Sequence, residues 1–294
     1  MRNAIVNHIF ELMHRNKRIF FLTGDMGINL IEKFEEKFPD RFLNVGIAEQ
    51  NLIGVSAGLY NAGYLPFAYA ISNFITQRCL EQIRNDVVLH NYPITLIGTS
   101  TGFDNAALGP THHVVDDWGT LKGLPGLDIY CPNSIDYAKK IIPNIIKNKK
   151  PTYIRIPKTS FEDVITSNAY FYKKGKNKNH LIISYGGTAR SCLEINKSNK
   201  VSCLLMNKLH PIDKKRIFKI LKNYKNVLVV EDQMKYNNLY SSLCELLYNE
   251  KIKPNLYQIC PDKYELRVGN SQDYFYKQFK MDKKSILNKL EKIT

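Results

Sequence analysis

Six cysteines stand at positions 79, 131, 192, 203, 244 and 260, with no Cys-x-x-Cys pair and no histidine at zinc-ligand spacing beside them. That absence excludes a zinc ribbon or a dithiol redox motif and leaves buried, reduced thiols as the reading. An apolar leader is missing too. Residues 1–22 carry Arg2, His8, Glu11, His14, Arg15, Lys17 and Arg18, which interrupt both a signal core and a membrane span. A cytoplasmic protein without membrane contact is expected. Acidic residues are scarce, 27 Asp and Glu against 42 Lys and Arg, giving a net charge of +15. Such an excess can mark nucleic-acid binding, but the lysines are scattered through 144–150, 173–178, 197–225 and 277–292. They read as solvated faces, so no nucleic-acid partner is expected, and attraction of phosphorylated substrates is a milder use of the charge. There is no internal repeat and no low-complexity tract beyond the lysine clusters.

What is present is core-forming material. The 294 residues are 44% hydrophobic and 23% charged, enough for one large or two moderate globular domains. Short apolar runs alternate with helical periodicity, the pattern of parallel sheets covered on both faces, and the fold class expected is α/β with two doubly wound domains. The first domain, 1–160, has predicted strands at 19–23, 42–45, 65–69, 94–99, 127–131 and 152–155. Residues 161–180 are polar and lysine-rich and are expected to be a linker; a second domain, 181–294, has predicted strands at 181–184, 201–205 and 227–230. The turn at Gly186-Gly187 lacks the full dinucleotide fingerprint and reads as a plain strand-to-helix turn.

One local pattern carries chemistry. Residues 42–45 form an apolar strand, Gly46-Ile47-Ala48 a tight turn, and Glu49 opens a helix with Leu52, Ile53, Ala57 and Tyr60 on its apolar face. Glu49 therefore sits where a parallel strand feeds a helix, the edge at which α/β folds bind ligands, near the positive end of a helix dipole. An acid in a first turn is by itself ordinary helix stabilisation.

The string Gly46-Ile47-Ala48-Glu49-Gln50-Asn51, followed about sixty residues later by Gly109-Pro110-Thr111-His112-His113, resembles the pyrimidine-binding half of transketolases and 1-deoxyxylulose-5-phosphate synthases, especially transketolases split into two chains. The resemblance spans nearly the whole chain, more weakly through Ile182-Ile183-Ser184-Tyr185-Gly186-Gly187, Asn207-Lys208-Leu209-His210-Pro211 and Val229-Val230-Glu231-Asp232, which look like strand ends of the third transketolase domain. It implies a pyrimidine-binding domain followed by a transketolase C-terminal-like domain, and thiamine diphosphate as cofactor. It also implies Glu49 as the cofactor-activating acid, a buried carboxyl with a raised pKa sharing a proton with the aminopyrimidine.

Other roles follow from the same match. Phe74, in Ser72-Asn73-Phe74-Ile75-Thr76-Gln77-Arg78, falls where the family stacks an aromatic ring on the aminopyrimidine; Ile71 occupies a position that is often aromatic. Asp25 corresponds to an aspartate near the cofactor and the substrate channel, and Asn29 to a serine that helps hold the substrate phosphate. His112 corresponds to the histidine that hydrogen-bonds the ketose oxygen and assists proton movement, with Asp116 in place of a downstream glutamate. Arg155 stands where an arginine grips the sugar phosphate, a task suited to a guanidinium. Two departures bear on the substrate: Ala107-Leu108 replace the Glu-Asp that precedes Gly109 in transketolases, and Ser100 replaces a phosphate-binding histidine. An unusual sugar is expected as donor or acceptor.

Transketolases also carry a Gly-Asp-Gly motif and a downstream asparagine that hold magnesium and the cofactor's diphosphate. Gly24-Asp25-Met26-Gly27 is not that motif, and no metal ligand is expected in this chain. The resemblance thus implies a separate diphosphate-binding subunit that holds Mg2+, in an α2β2 assembly acting on sugars or sugar phosphates. Competing readings are a deoxyxylulose-phosphate-synthase-like subunit, the β chain of a 2-oxo-acid dehydrogenase, or a non-catalytic paralogue. The Gly-Pro-Thr-His loop argues against the dehydrogenase chain, and the missing diphosphate domain against a single-chain synthase.

Overall fold

Residues 1–162, 164, 169–198, 201–251 and 253–293 are described in a computed structural model. Among them run β1 (Ile19–Thr23), β2 (Phe42–Asn44), β3 (Leu65–Ile71), β4 (Thr95–Thr99), β5 (Asp128–Tyr130) and β6 (Thr152–Ile156). There follow β7 (Tyr170–Lys173), β8 (Asn177–Ser184), β9 (Val201–Met206), β10 (Lys208–His210), β11 (Asn226–Val230) and β12 (Asn255–Ile259). Two sheets form, ordered β10-β5-β6-β4-β3-β1-β2 and β12-β11-β8-β9-β7. Every neighbouring pair is parallel except β10 with β5 and β7 with β9.

The first sheet is sandwiched. All five residues of β1 are buried, as expected for a strand covered on both faces, whereas edge strand β2 buries only Phe42. On one face the helix Arg2–Arg15 lays down Ile5, Val6, Ile9 and Met13, and the helix Ile135–Asn148 adds Tyr137, Ala138, Ile141, Ile142 and Ile145. These spacings of three and four residues place each set on one helical stripe. On the other face the helix Glu49–Asn61 buries Leu52, Ile53 and Ala57. The chain leaves β1 for β2 on one side and then passes to β3 and β4 on the other. That reversal beside β1 creates a crevice at the carboxyl ends of the strands.

The segment expected to be a linker is partly a sheet. Within 161–180, β7 pairs antiparallel with β9, and β8 begins at Asn177. The lysines conceal three consecutive aromatics, Tyr170-Phe171-Tyr172, all partly buried, which suit an edge strand. Residues 163 and 165–168 of that segment lie outside the described residues. Strand β12 has no counterpart among the expected strands either. Its alternation is weak, because all but its last residue are exposed or partly buried.

The two sheets do not stand apart. Strand β10, which the sequence placed in the second unit, returns to the edge of the first sheet beside β5. One buried cluster runs from Leu52, Leu96 and Trp118 to Tyr185, Leu204, Val229 and Leu243. Asn133 fastens the seam by donating to Met206 O at 2.8 Å and Asn207 Oδ1 at 2.9 Å while accepting from the Gly186 N–H at 3.1 Å. Trp118 Nε1 donates to Tyr185 Oη at 2.9 Å, and Tyr185 Oη to Glu231 Oε2 at 3.0 Å. Glu231 also accepts from the Leu239 and Tyr240 N–H groups, both at 3.0 Å, at the start of the helix Leu239–Leu247. Burial nevertheless dominates, holding its carboxyl up at about 7.

Candidate active site

Four loops meet at the crevice, those following β1, β2, β3 and β4, and each brings at least one expected site residue. Glu49 is the first residue of its helix, after Ala48 in a non-helical conformation. Its side chain is 3% exposed, so the carboxyl is nearly withdrawn from water. Gly24, at the end of β1, makes room for it, because a Cβ there would meet Glu49 Cγ at 3.3 Å. The partner of Glu49 is Arg78, whose Nη1 donates to Oε2 at 2.7 Å and whose side chain is 43% exposed.

Arg78 links the acid to the rest of the site. Its guanidinium lies over the Phe74 ring, 4.2 Å from the centroid. The two residues are four apart in sequence, Phe74 in the short helix Ser72–Ile75 and Arg78 in the helical turn Gln77–Cys79 that follows it after β3. Phe74 in turn meets His112 edge-on, with ring centroids 5.2 Å apart at 72°. The His112 loop is tied to the same element, as Asn73 Nδ2 donates to Thr111 O at 2.6 Å. His112 Nδ1 bonds Thr111 Oγ1 at 2.9 Å, which leaves Nε2 for a ligand. Burial first, and then the Arg78 charge, hold His112 below the ordinary imidazole value, so a neutral ring prevails at pH 7.

The remaining expected residues are placed differently. Asp25, exposed and at φ +53°, bonds Asn44: its N–H donates to Asn44 Oδ1 at 3.0 Å and its Oδ1 accepts from Nδ2 at 3.1 Å. Asn29, exposed at φ +61°, donates its N–H to Glu32 Oε1 at 2.8 Å. Both stay at the rim beside β1. Ser100, at φ +62°, terminates β4, and the next residue, Thr101, has a buried hydroxyl without a partner among the described residues.

Arg155 corrects the expectation of a phosphate grip. It lies on β6 with no exposed surface. Its Nε donates to Asp117 at 3.0 and 3.1 Å, and its Nη2 to Asp232 Oδ1 and Val114 O, both at 3.1 Å. Its Nη1 has no hydrogen-bond partner among the described residues but points at Gly186, where a Cβ would lie 3.3 Å away. Tyr153 Oη completes the group by donating to Asp117 Oδ2 at 2.7 Å. Gly102 is required beside it: at φ +58°, a side chain there would collide with the Asp232 carboxylate. The guanidinium is therefore a buried staple between the two units, closed to solvent. Nothing nearby in the sequence reveals this, because Asp232 is 77 positions away.

Among the described residues, no group of three or more His, Cys, Asp and Glu side chains is gathered to hold a metal ion, and no helix is long and apolar enough to cross a membrane. A cavity of about 660 Å³ between Lys235, Cys260, Phe279 and Lys289 lies in the second unit, away from these groups. The chemistry points to the crevice instead, an open surface where Ile28 and Ile47 are each 79% exposed and Leu108 is 56% exposed.

Residues 1–163 match the family model for the transketolase pyrimidine binding domain. The chain belongs to that family. It is a chain of a transferase family that uses thiamine diphosphate, and it is similar to single subunits of split transketolases. One subunit of the apulose-4-phosphate transketolase of Phocaeicola vulgatus is 27% identical over 297 residues, 97% of this chain and 94% of its own. The 1-deoxy-D-xylulose-5-phosphate synthase of Syntrophus aciditrophicus is 28% identical over 262 residues, which make up 84% of this transketolase chain and only 40% of the synthase. A split-gene transketolase, solved as an inactive β4 tetramer, shares the fold, with a TM-score of 0.85 over 99% of this chain and 97% of that one at 24% identity.

Proposed function

We propose that this subunit supplies the pyrimidine half of a thiamine-diphosphate site, and that a separate chain holds the diphosphate and Mg2+ in an α2β2 enzyme of the cytoplasm. The carrying observation is the linked set Glu49, Arg78, Phe74 and His112 on one open crevice. That set fits an aminopyrimidine: a carboxyl almost without water, and beside it an aromatic face. Bound there, the cofactor would supply a nucleophilic thiazolium carbon and an electron sink for ketol transfer.

The residues of this chain then divide the work. Arg78, on the exposed side of its pair, can swing to solvent and free Glu49 to hold a proton against the ring nitrogen. Phe74 offers the stacking face and excludes water. Neutral His112 presents Nε2 to accept and return a proton at a sugar hydroxyl. With Arg155 buried, the sugar phosphate lacks that guanidinium, and Ser100 and Asn29 are the expected substrate-side groups that remain at the crevice, while Asp25 lines the channel. That supports a substrate other than the usual pentose phosphates, as does the name of the P. vulgatus relative, which specifies apulose 4-phosphate.

A partner chain is supported by that relative's designation as one subunit of its enzyme and by the inactive β4 state of the split-gene neighbour. The exposed apolar rim suits such a partner. Ile47→Lys is expected to weaken co-elution with the diphosphate-binding chain by roughly 30-fold or more. The melting temperature of the free subunit should not move, because the side chain is 79% exposed. Size-exclusion and calorimetric titration measure both, and wild-type affinity would remove the rim from the interface. The defining assay is co-expression followed by ketol transfer with a panel of ketose donors and aldose acceptors. Activity that needs both chains supports the reading; activity with pyruvate alone would favour synthase chemistry. Turnover of xylulose 5-phosphate with ribose 5-phosphate at ordinary transketolase efficiency would overturn the unusual-sugar part.

A further inference from the structure

The loop from Gly102 to Asp116 carries His112, and the second unit grips it on both sides of the histidine. Gln272 Nε2 donates to Asp104 Oδ1 at 2.7 Å, the Gly269 N–H to Ala106 O at 2.9 Å, and the Met234 N–H to Val115 O at 2.6 Å. Val268 closes on Gly109, where a Cβ would meet its Cγ1 at 3.1 Å. His113, 7% exposed, packs edge-on against Phe103 and Phe275, with centroids at 5.2 and 4.7 Å.

One further contact is of a different kind. Tyr264 Oη donates to Asp116 Oδ2 at 2.6 Å. Asp116 is the N-cap of the helix Asp117–Leu121, where an aspartate ordinarily accepts from the first N–H groups, yet its carboxylate makes no capping bond. It is half-buried, and the Gln77 side chain lies near it. Gln77 immediately precedes Arg78, the partner of Glu49. Asp116 thus joins three elements: the strap from the second unit, the His112 loop and the segment that carries Phe74 and Arg78.

We propose that Tyr264 is a positioning residue for ketol transfer, holding Asp116 so that His112 faces Glu49 and Phe74 at a working distance. This rests on His112 being the substrate-side residue. It gives the second unit a part in the reaction besides packing. The physical lever is geometric, since a displacement of about 1 Å at a proton-transferring group can cost up to roughly 100-fold in rate. The groups facing the Asp116 carboxylate are Tyr264, Gln77 and Asp117. Burial raises its pKa, and the bond from Tyr264 and the nearby Gln77 side chain oppose that rise.

Tyr264→Phe in the full chain, assembled with its partner, is the test. The ring is 60% exposed, so loss of the hydroxyl should leave the fold intact. Expected are a kcat lower by roughly 10-fold and an unchanged thiamine-diphosphate dissociation constant. The acid limb of kcat should move to higher pH, because the lost donor had favoured ionised Asp116. Asp116→Asn should lower kcat equally and remove that limb, which a packing defect would not do. A second readout needs no turnover: in the free chain labelled with 15N-histidine, the His112 ring resonances should shift in Tyr264→Phe while those of His180 stay fixed. If the wild-type complex turns nothing over, the functional reading fails, and the NMR result still decides whether Tyr264 sets His112. Wild-type kcat with an unmoved acid limb, or unshifted His112 resonances, would overturn the proposal.

Discussion

Glu49→Gln is expected to slow ketol transfer by the assembled enzyme roughly 10²- to 10⁴-fold, the range of a lost acid–base group. Glutamine preserves the shape of a side chain that is 3% exposed, and its amide oxygen can still accept from Arg78. The melting temperature of the free subunit should therefore change little. What disappears is a group that can hold a proton in a site almost without water. Steady-state assays at saturating cofactor isolate kcat, and cofactor titration separates chemistry from binding. Turnover within about 3-fold of wild type would remove Glu49 from the reaction.

Arg155→Met should be the most damaging single change to stability, costing about 3–5 kcal/mol, the range for breaking a buried ion pair by removing one partner. Arg155, Asp117 and Asp232 all have no exposed surface, so methionine strands two carboxylates in the seam between the units. A fall in melting temperature on the order of 10 °C follows for a chain of this size. The pH dependence has a definite sign. Burial already lifts Asp232 above the usual carboxylate range against the pull of Arg155, and losing the cation lifts it further. A carboxyl with a raised folded-state pKa binds more protons in the folded chain than in the unfolded one, so stability falls as pH rises through that window. The deficit of Arg155→Met should consequently be largest at neutral pH and shrink toward pH 5, which urea titrations at both values measure. A loss below about 1 kcal/mol, coupled with a raised KM for phosphorylated sugars only, would return Arg155 to the phosphate role.

The parts of the site legible in the sequence are those made by short-range geometry. A strand, a three-residue turn and a helix put Glu49 at the sheet edge wherever the rest of the chain goes. The Phe74–Arg78 contact also has a signal, the four-residue spacing after a strand, although the motif that ends in Arg78 assigns that arginine no role. Its pairing with Glu49, 29 positions earlier, is invisible in the sequence. Strand β7 is hidden because lysine-rich composition outweighs three adjacent aromatics.

By itself the sequence determined the alternation of strands and helices, the position of the acid, and the Gly-Pro-Thr-His tip that carries His112. Hydrophobic periodicity and turn chemistry act over a few residues, and a single chain displays them directly. Only the tertiary structure decided that Arg155 is a staple and that the strap from the second unit reaches the His112 loop. Those roles depend on Asp232 and Tyr264, which lie 77 and 148 positions from their partners. An arginine reads the same whether it faces a substrate phosphate or two buried carboxylates. Which it meets is set by how two sheets share one core, a property of packing between distant segments.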